Sequence, residues 1–269
     1  MSRLLNSVPA ASILYSCYHA RRREGEQFVA RHLFSAQLAG TLVLNDGQQT
    51  HTFQPGDFRF CRRNQLIKFD KQPPAQGEFQ SVSISFDQET LREFSLEYGY
   101  QPGKSSGDTP GVFTLPATAL YRSFLESLRP FDHLSAPGNE RLQALKMKEA
   151  LLVLLQNNPE LAAVLFDFSE PGKLDLEAFM QQHFHFNVGL PRFAYLTGRS
   201  LATFKRDFEK IFKLSPRRWL QQRRLQEAHF LIKERGWAPS TVYLEVGFED
   251  LSHFSFAFKQ AYGVAPSRV

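Results

Sequence analysis

The chain has 269 residues, 42% hydrophobic and 22% charged, with a formal net charge of +5 and a pI near 9.2. That size suits one large domain or two ordinary ones, and the apolar content is enough for a core, which excludes a disordered chain. No apolar run approaches the roughly 18 residues of a membrane-spanning helix, the N-terminus turns polar at Asn6-Ser7 without the apolar stretch of a secretory signal, and two cysteines, Cys17 and Cys61, make neither a disulfide framework nor a zinc site, so a reducing cytoplasm is the expected location.

Residues up to about 115 read as strands. Ile13 to Tyr18 is a β-like run. Leu38 to Leu44 and Gln48 to Phe53 flank Asn45-Asp46-Gly47, a strong hairpin signal. Pro55-Gly56-Asp57 is a second turn and leads into Phe58-Arg59-Phe60-Cys61. Pro73-Pro74 breaks the chain, and Phe79 to Phe86 alternates as a strand does. Short strands at close spacing predict a small sandwich or barrel. Gly99 to Gly111, with Pro102, Gly103, Gly107 and Pro110, reads as a loop. Beyond it, Ala117 to Leu128 and Glu140 to Gln156 have helical period. The run Leu151 to Leu155 gives the second helix more than one apolar face, for its own core, for another domain or for a second subunit.

The positive charge is concentrated at the back. Residues 174–269 carry 14 Lys+Arg against 9 Asp+Glu, while the rest of the chain is balanced. A basic third points to a polyanionic partner, although a solvated basic surface has the same composition. The same third contains a repeat. Leu201, Phe204, Phe208, Phe212 and Pro216 recur 50 positions later as Leu251, Phe254, Phe258, Tyr262 and Pro266. Steps of three and four place such residues on one helical face. Ser200 and Asp250 are the expected N-caps. Gly198 and Gly247 mark a turn before each, and short helices, Leu190 to Leu196 and Thr241 to Val246, precede the turns. Helix, glycine turn, helix is the helix-turn-helix plan. Pro216 to Glu234 is the expected connector, capped at Ser215 and ended by Gly236, and would span about 28 Å. Successive turns of one DNA groove lie roughly 34 Å apart.

These residues resemble the double helix-turn-helix domain of AraC/XylS-type bacterial transcription regulators. The resemblance runs over about 174–269 and rests on Ala194-x-x-x-Gly198-x-Ser200, Arg224-Leu225-x-x-Ala228, Glu245-Val246-Gly247-Phe248, Phe258-Lys259 and Gly263-Val264-x-Pro266. It implies an α+β chain: an N-terminal cupin-like β-barrel with a helical linker, then a C-terminal all-α domain with two helix-turn-helix units. The expected boundaries are 1–115 for the sensing domain, 116–170 for a helical linker and dimerisation region, and 171–269 for the DNA-binding domain. The implied partner is double-stranded promoter DNA, with RNA polymerase beside it and a small molecule or a protein as effector. A homodimer is allowed, and no membrane and no cofactor are expected.

The resemblance also assigns DNA contacts. In the family, positions matching Ala202, Lys205 and Arg206 face the major groove. The outward face of the first reading helix, opposite the apolar stripe, also carries Thr203, Glu209 and Lys210. Arg206 is the expected base reader, since a guanidinium bonds guanine O6 and N7 together. The second helix turns outward Ser252, His253, Ser255, Phe256 and Lys259. Phe256 stands where many members have arginine; an exposed ring there fits a thymine methyl, packing within the domain, or a face for RNA polymerase. Tyr243 replaces the usual small alanine. Arg217 and Arg218 are expected on phosphates, and Arg224 matches a family arginine expected to be structural rather than a reader.

The front of the chain offers no catalytic set. His19, His32 and His51 are scattered, His183-Phe184-His185 is expected on a helix, where alternate residues do not share a face, and no Walker or Rossmann motif occurs. Neither catalysis nor a metal is expected. Phe28, Phe34, Phe53, Phe58, Phe60, Tyr15 and Tyr18 are candidate cavity walls or plain core. Arg21-Arg22-Arg23 and Arg62-Arg63 suit an anionic effector or exposed charge. Two further readings stay open: a cupin-type enzyme or small-molecule carrier with a helical interaction module, and an adaptor without DNA recognition.

Overall fold

The computed structural model describes residues 12–23, 25–104, 109–129 and 139–269. The polar start at Asn6-Ser7 and Gly107 of the expected loop lie outside the described residues. Two compact units emerge. One comprises the chain up to residue 22, 29–65 and 69–169; the other comprises 23–28, 66–68 and 170–269.

The first unit is β-rich. The strands of the chain are β1 (Ser12–Tyr18), β2 (Phe28–Val29), β3 (His32–Ala39), β4 (Thr41–Asn45), β5 (Thr50–Phe53), β6 (Phe58–Cys61), β7 (Gln65–Leu66), β8 (Lys68–Gln72), β9 (Phe79–Phe86) and β10 (Val112–Leu115), of which only Phe28, Leu66 and Lys68 fall in the other unit. Among the described residues they form a five-stranded sheet in the order β1-β9-β3-β6-β10, a three-stranded sheet β5-β4-β8 and the short pair β2-β7. The expected hairpin is present as β4–β5, with Leu42 opposite Phe53. Asp46 Oδ1 closes its turn by accepting from the Gln48 and Gln49 amides at 3.0 and 2.8 Å.

The strand expected over Leu38 to Leu44 is instead two strands broken at Gly40. That residue has φ +75°, and a Cβ there would run into the Gln72 carbonyl, so only glycine turns this corner. The sequence reading also missed helix α1 (Gln88–Tyr98), which starts under an Asp87 cap accepting from the Thr90 amide at 2.8 Å. Helices α2 (Ala119–Leu128), α3 (Glu140–Asn157) and α4 (Ala162–Leu165) complete the unit.

Alternation along β3, β6 and β9 turns Phe34, Ala36, Phe58, Phe60, Val82, Ile84 and Phe86 to one face. That face and the helices share one core with Tyr121, Phe124, Met147, Leu151, Leu154 and Phe166. Helices α2 and α3 are thus packed on the sheet. The Tyr121 ring lies 5.1 and 5.2 Å from those of Phe34 and Phe58. The void beside Phe34, Phe58 and Phe124 is only about 10 Å³, room for one water at most. Of the expected wall residues, Phe34, Phe53, Phe58 and Phe60 are core, while Tyr15 is exposed. Cys17 and Cys61 carry free thiols.

Of the basic clusters, Arg21 is exposed though paired, whereas Arg63 is not exposed charge. Arg63 is buried and donates to the Asp167 and Ser169 carbonyls at 3.1 and 2.6 Å. Arg21 is paired with Asp70. His32 is buried against Phe60, its Nδ1 accepting from the Arg63 amide at 3.3 Å. Burial, helped by the Arg63 and Arg62 charges, pushes its pKa down to about 3. A histidine held neutral in the fold and protonated when unfolded costs stability as pH falls below the ordinary value near 6.5. The unfolding free energy from urea titrations is therefore expected to drop between pH 7 and pH 5 by about 2 kcal/mol from this residue. His32→Gln should flatten that part of the profile.

Candidate DNA interface

The second unit is helical. Its helices are α5 (Leu176–His183), α6 (Leu190–Leu196), α7 (Leu201–Phe212), α8 (Pro216–Lys233), α9 (Pro239–Glu245) and α10 (Leu251–Tyr262). The expected motif His183-Phe184-His185 straddles the end of α5, with Phe184 as its C-cap and His185 beyond it. Burial pushes His185 down to about 3.

The first corner runs α6, turn, α7. Gly198 turns it with φ +63°, and the backbone of Gly172 comes within 2.5 Å of where a Cβ would stand. Ser200 caps α7 by accepting from the Thr203 amide at 3.2 Å. Arg199 ties the turn down: its Nε donates to Asp207 at 3.2 Å and its Nη1 to the Leu174 and Thr197 carbonyls at 3.0 and 2.8 Å. The Arg199 hydrogen bond, aided by Arg206, holds Asp207 below the usual carboxylate range. The sequence reading missed this pair; its only signal is an Arg just before the cap and an Asp two turns into the helix.

The second corner repeats the design. Gly247 turns it with φ +94°, and Asp250 caps α10 by accepting from the His253 amide at 2.6 Å. The inward rungs are aromatic in both copies. Phe204 and Phe208 are fully buried, with Phe212 4.5 Å from the Trp219 ring. Phe254 and Phe258 match them, with Tyr262 4.5 Å from the His229 ring.

The ladder is shorter than its spacing suggests. Leu201 and Leu251 are 37% and 39% exposed. Each leucine is the first residue of its helix and lies at the open end of the stripe. Leu201, Lys205 and Glu209 line a cleft.

Helix α8 joins the corners. Its 18 residues span about 27 Å, and Ser215 makes no side-chain cap, leaving Pro216 to start the helix. At its middle, Arg224 Nε and Nη2 donate to the Phe184 and Phe186 carbonyls, both at 2.8 Å, while Nη1 donates to the Gly247 carbonyl at 2.7 Å. One guanidinium thereby ties the segment before the first corner to the turn of the second. Burial pushes its pKa down to about 10, so it stays charged. A Cβ on Gly247 would lie 3.0 Å from that guanidinium and 2.8 Å from the His185 carbonyl.

A cleft of about 1010 Å³ lies within this unit, lined by α7, α8 and the second corner. Of the residues expected at DNA, Lys205, Arg217 and His253 line it. Gln221 and Glu249, which the sequence reading did not single out, line it too; Gln221 sits one turn beyond Arg217. Ala202, Thr203, Arg206, Arg218, Ser252, Ser255, Phe256 and Lys259 do not line it. Ala202, Arg218, Ser252 and Lys259 are exposed, and Thr203 and Ser255 are half-buried. The Arg206 side chain is 77% exposed, 3.4 Å from Asp207. Phe256 is 66% exposed, so it does not pack within the domain.

Residues 193–269 match a family described as a helix-turn-helix domain, and 32–164 match the ExsA N-terminal regulatory domain. The thermoregulatory protein LcrF of Yersinia pestis is 30% identical over 235 residues, 86% of each chain. The chain belongs to the AraC family of transcription regulators. The HTH-type transcriptional regulator ExsA of Pseudomonas aeruginosa is 27% identical over 233 residues, 86% of this chain and 83% of its own. A crystal structure of ToxT from Vibrio cholerae aligns over 96% of both chains at 12% identity, with a TM-score of 0.45. This member is a DNA-binding transcription regulator with a β-rich N-terminal region and a helical C-terminal region.

Arg224 provides a test of the joint. Arg224→Ala strips three carbonyls of a charged donor, and each such bond is worth roughly 1.5 kcal/mol or more. Chemical denaturation should show a loss of about 3 kcal/mol or more, with Arg224→Lys recovering only part.

Proposed function

We propose that this regulator is a cytoplasmic, sequence-specific activator that sets α7 and α10 into successive major grooves on one face of promoter DNA. The observation that carries the reading is the duplicated capped helix whose aromatic rungs face inward and whose opposite side is exposed and, apart from Phe256, polar. A connector of about 27 Å suits a groove repeat of roughly 34 Å. Arg206 is the base reader of the first helix, with Ala202, Thr203 and Lys205 beside it. Arg217 and Arg218 hold phosphates, and the cleft receives the backbone between the grooves. Ser252, His253, Ser255, Phe256 and Lys259 form the second reading face. With a ring in place of a guanidinium, that face favours a thymine methyl over a guanine edge. Leu201 and Leu251 add an apolar tip to each helix.

In this proposal residues 1–115 sense the effector, a small molecule or a protein. Effector binding favours the DNA-competent arrangement, and RNA polymerase is the downstream partner. Residues 116–170 serve self-association, since α3 leaves Leu145 and Leu152, seven residues apart, exposed. Leu145→Glu should lower the self-association constant in sedimentation experiments without moving the melting temperature. No helix of the described residues is long and apolar enough to cross a membrane.

Gel shifts with promoter fragments at several salt concentrations test the reading, and binding indifferent to sequence at every salt would overturn it. Arg206→Ala is expected to cost about 1–3 kcal/mol and to relax preference at one base position. Arg217→Ala should weaken all sequences alike and reduce the salt slope by about 1. The opposite pattern in a site selection would reverse the two roles.

A further inference from the structure

The turn of the second corner is held from outside at alternate residues. Arg224 takes the Gly247 carbonyl at 2.7 Å. Two residues earlier, Lys68 Nζ donates to the Glu245 carbonyl at 2.6 Å and to Glu245 Oε1 at 2.8 Å. Two residues later, Asn187 Nδ2 donates to Glu249 Oε1 at 2.9 Å. Glu245 is the last residue of α9, where a carbonyl has no intrahelical partner. Helix α10 begins at Leu251, so the groups that fix 245–249 also fix the direction in which that helix leaves the turn.

Lys68 stands 177 positions before its partner, far outside the residues 193–269 matched as a helix-turn-helix domain. Residues 23–28 and 66–68 nevertheless belong to the helical unit. They are seated in its core, where Leu66 is buried with Leu176, Phe184 and Phe186. The two segments also hold each other, the Ile67 amide donating to the Gln27 carbonyl at 3.0 Å. Gln27 is buried, and its Oε1 accepts from the Asn187 amide at 2.9 Å. The asparagine that holds Glu249 is thus itself held by this upstream piece of chain.

The Lys68 ammonium is sheltered. Its side chain is 12% exposed and its Nζ lies 5.9 Å from the centre of the Phe186 ring. Burial lowers its pKa, Glu245 acts in the opposite sense, and the Arg23 and Arg224 charges add to the lowering. An ammonium taken out of water is costly unless its donors are met. Residue 245 meets two of them, one with a backbone atom, so the ammonium fixes main chain as well as a carboxylate. The first corner's turn is tied by nearer residues, through the Arg199 bonds to Asp207 and to the Leu174 and Thr197 carbonyls.

We propose that Lys68 is a positioning residue for DNA recognition: through Glu245 it aims α10 and leaves α7 unaffected, so base preference in one half of the site depends on a residue outside the helix-turn-helix domain. The inference rests on the reading of α7 and α10 as the two helices that meet DNA.

Two measurements on the full chain test it. The first needs no DNA. Lys68→Met keeps an apolar stem and removes the donors, so amide hydrogen exchange should quicken across the second turn and the start of α10 and stay as it was across the first turn and α7. The second is site selection with binding titrations. The half of the site whose preference changes in Arg206→Ala belongs to α7. Lys68→Met should relax preference in the other half, leave that half intact, and weaken binding roughly tenfold. Where Lys68→Met does not fold, Glu245→Ala removes one of the two acceptors from a partly exposed position and should give the same one-sided loss at smaller size. Preference lost equally in both halves, or kept in both, overturns the proposal, as does exchange that quickens at both corners alike or at neither. A parent chain without base preference overturns the DNA reading instead, and the exchange measurement still decides whether Lys68 holds α10.

Discussion

The relative placement of the two helix-turn-helix corners depends on one guanidinium. Arg224 leaves α8 at its middle and takes three carbonyls, two from the Phe184–Phe186 segment and one from Gly247. Those carbonyls lie beyond the ends of helices, where backbone acceptors lack intrahelical partners. A planar group with five donors in a fixed fork meets them together, which a lysine ammonium on a flexible stem cannot. Gly247 belongs to the same joint, because any side chain there would collide with the guanidinium and with the His185 carbonyl. The angle between the two reading helices is therefore a property of the connector as well as of each corner.

Each corner is built the same way and differs in what it presents. Capping, the glycine turn and the aromatic rungs recur in both copies, since all three serve the packing of one helix across another. The outward residues do not recur. Lys205, Arg206 and Lys210 give α7 a cationic face, while α10 shows serines and the exposed ring of Phe256. Packing constrains the inner stripe to rings of similar size. Nothing in the fold constrains the outer one, which leaves it free to be set by a partner.

In the β-rich unit the same separation runs through a sheet. One face of β3, β6 and β9 is closed by rings and by α1 to α4, with no room left between Phe34, Phe58 and Phe124 for a ligand. The other face keeps serines, Gln37 and Arg59 away from water. A period of two assigns the residues to these faces. Which face is covered by what is a matter of tertiary arrangement.

Much of this was legible in the chain itself. The duplicated ladder predicts both corners, their caps and the connector, because capping and helical period are local effects acting within four residues. The hairpin at Asn45-Asp46-Gly47 is legible for the same reason. The split at Gly40 and helix α1 escaped, since the first depends on the distant Gln72 carbonyl and the second begins within the polar run after Phe86. At the candidate interface, the residue types of α7 and α10 were readable, but not the turning of Leu201 and Leu251 out of the core, nor the role of Gln221. The sequence alone determined the elements whose signals lie within one or two helical turns. Tertiary structure decided the roles of Arg224 and Arg63, because a guanidinium's partners are set by chain segments brought near it in space, which spacing along the chain does not encode.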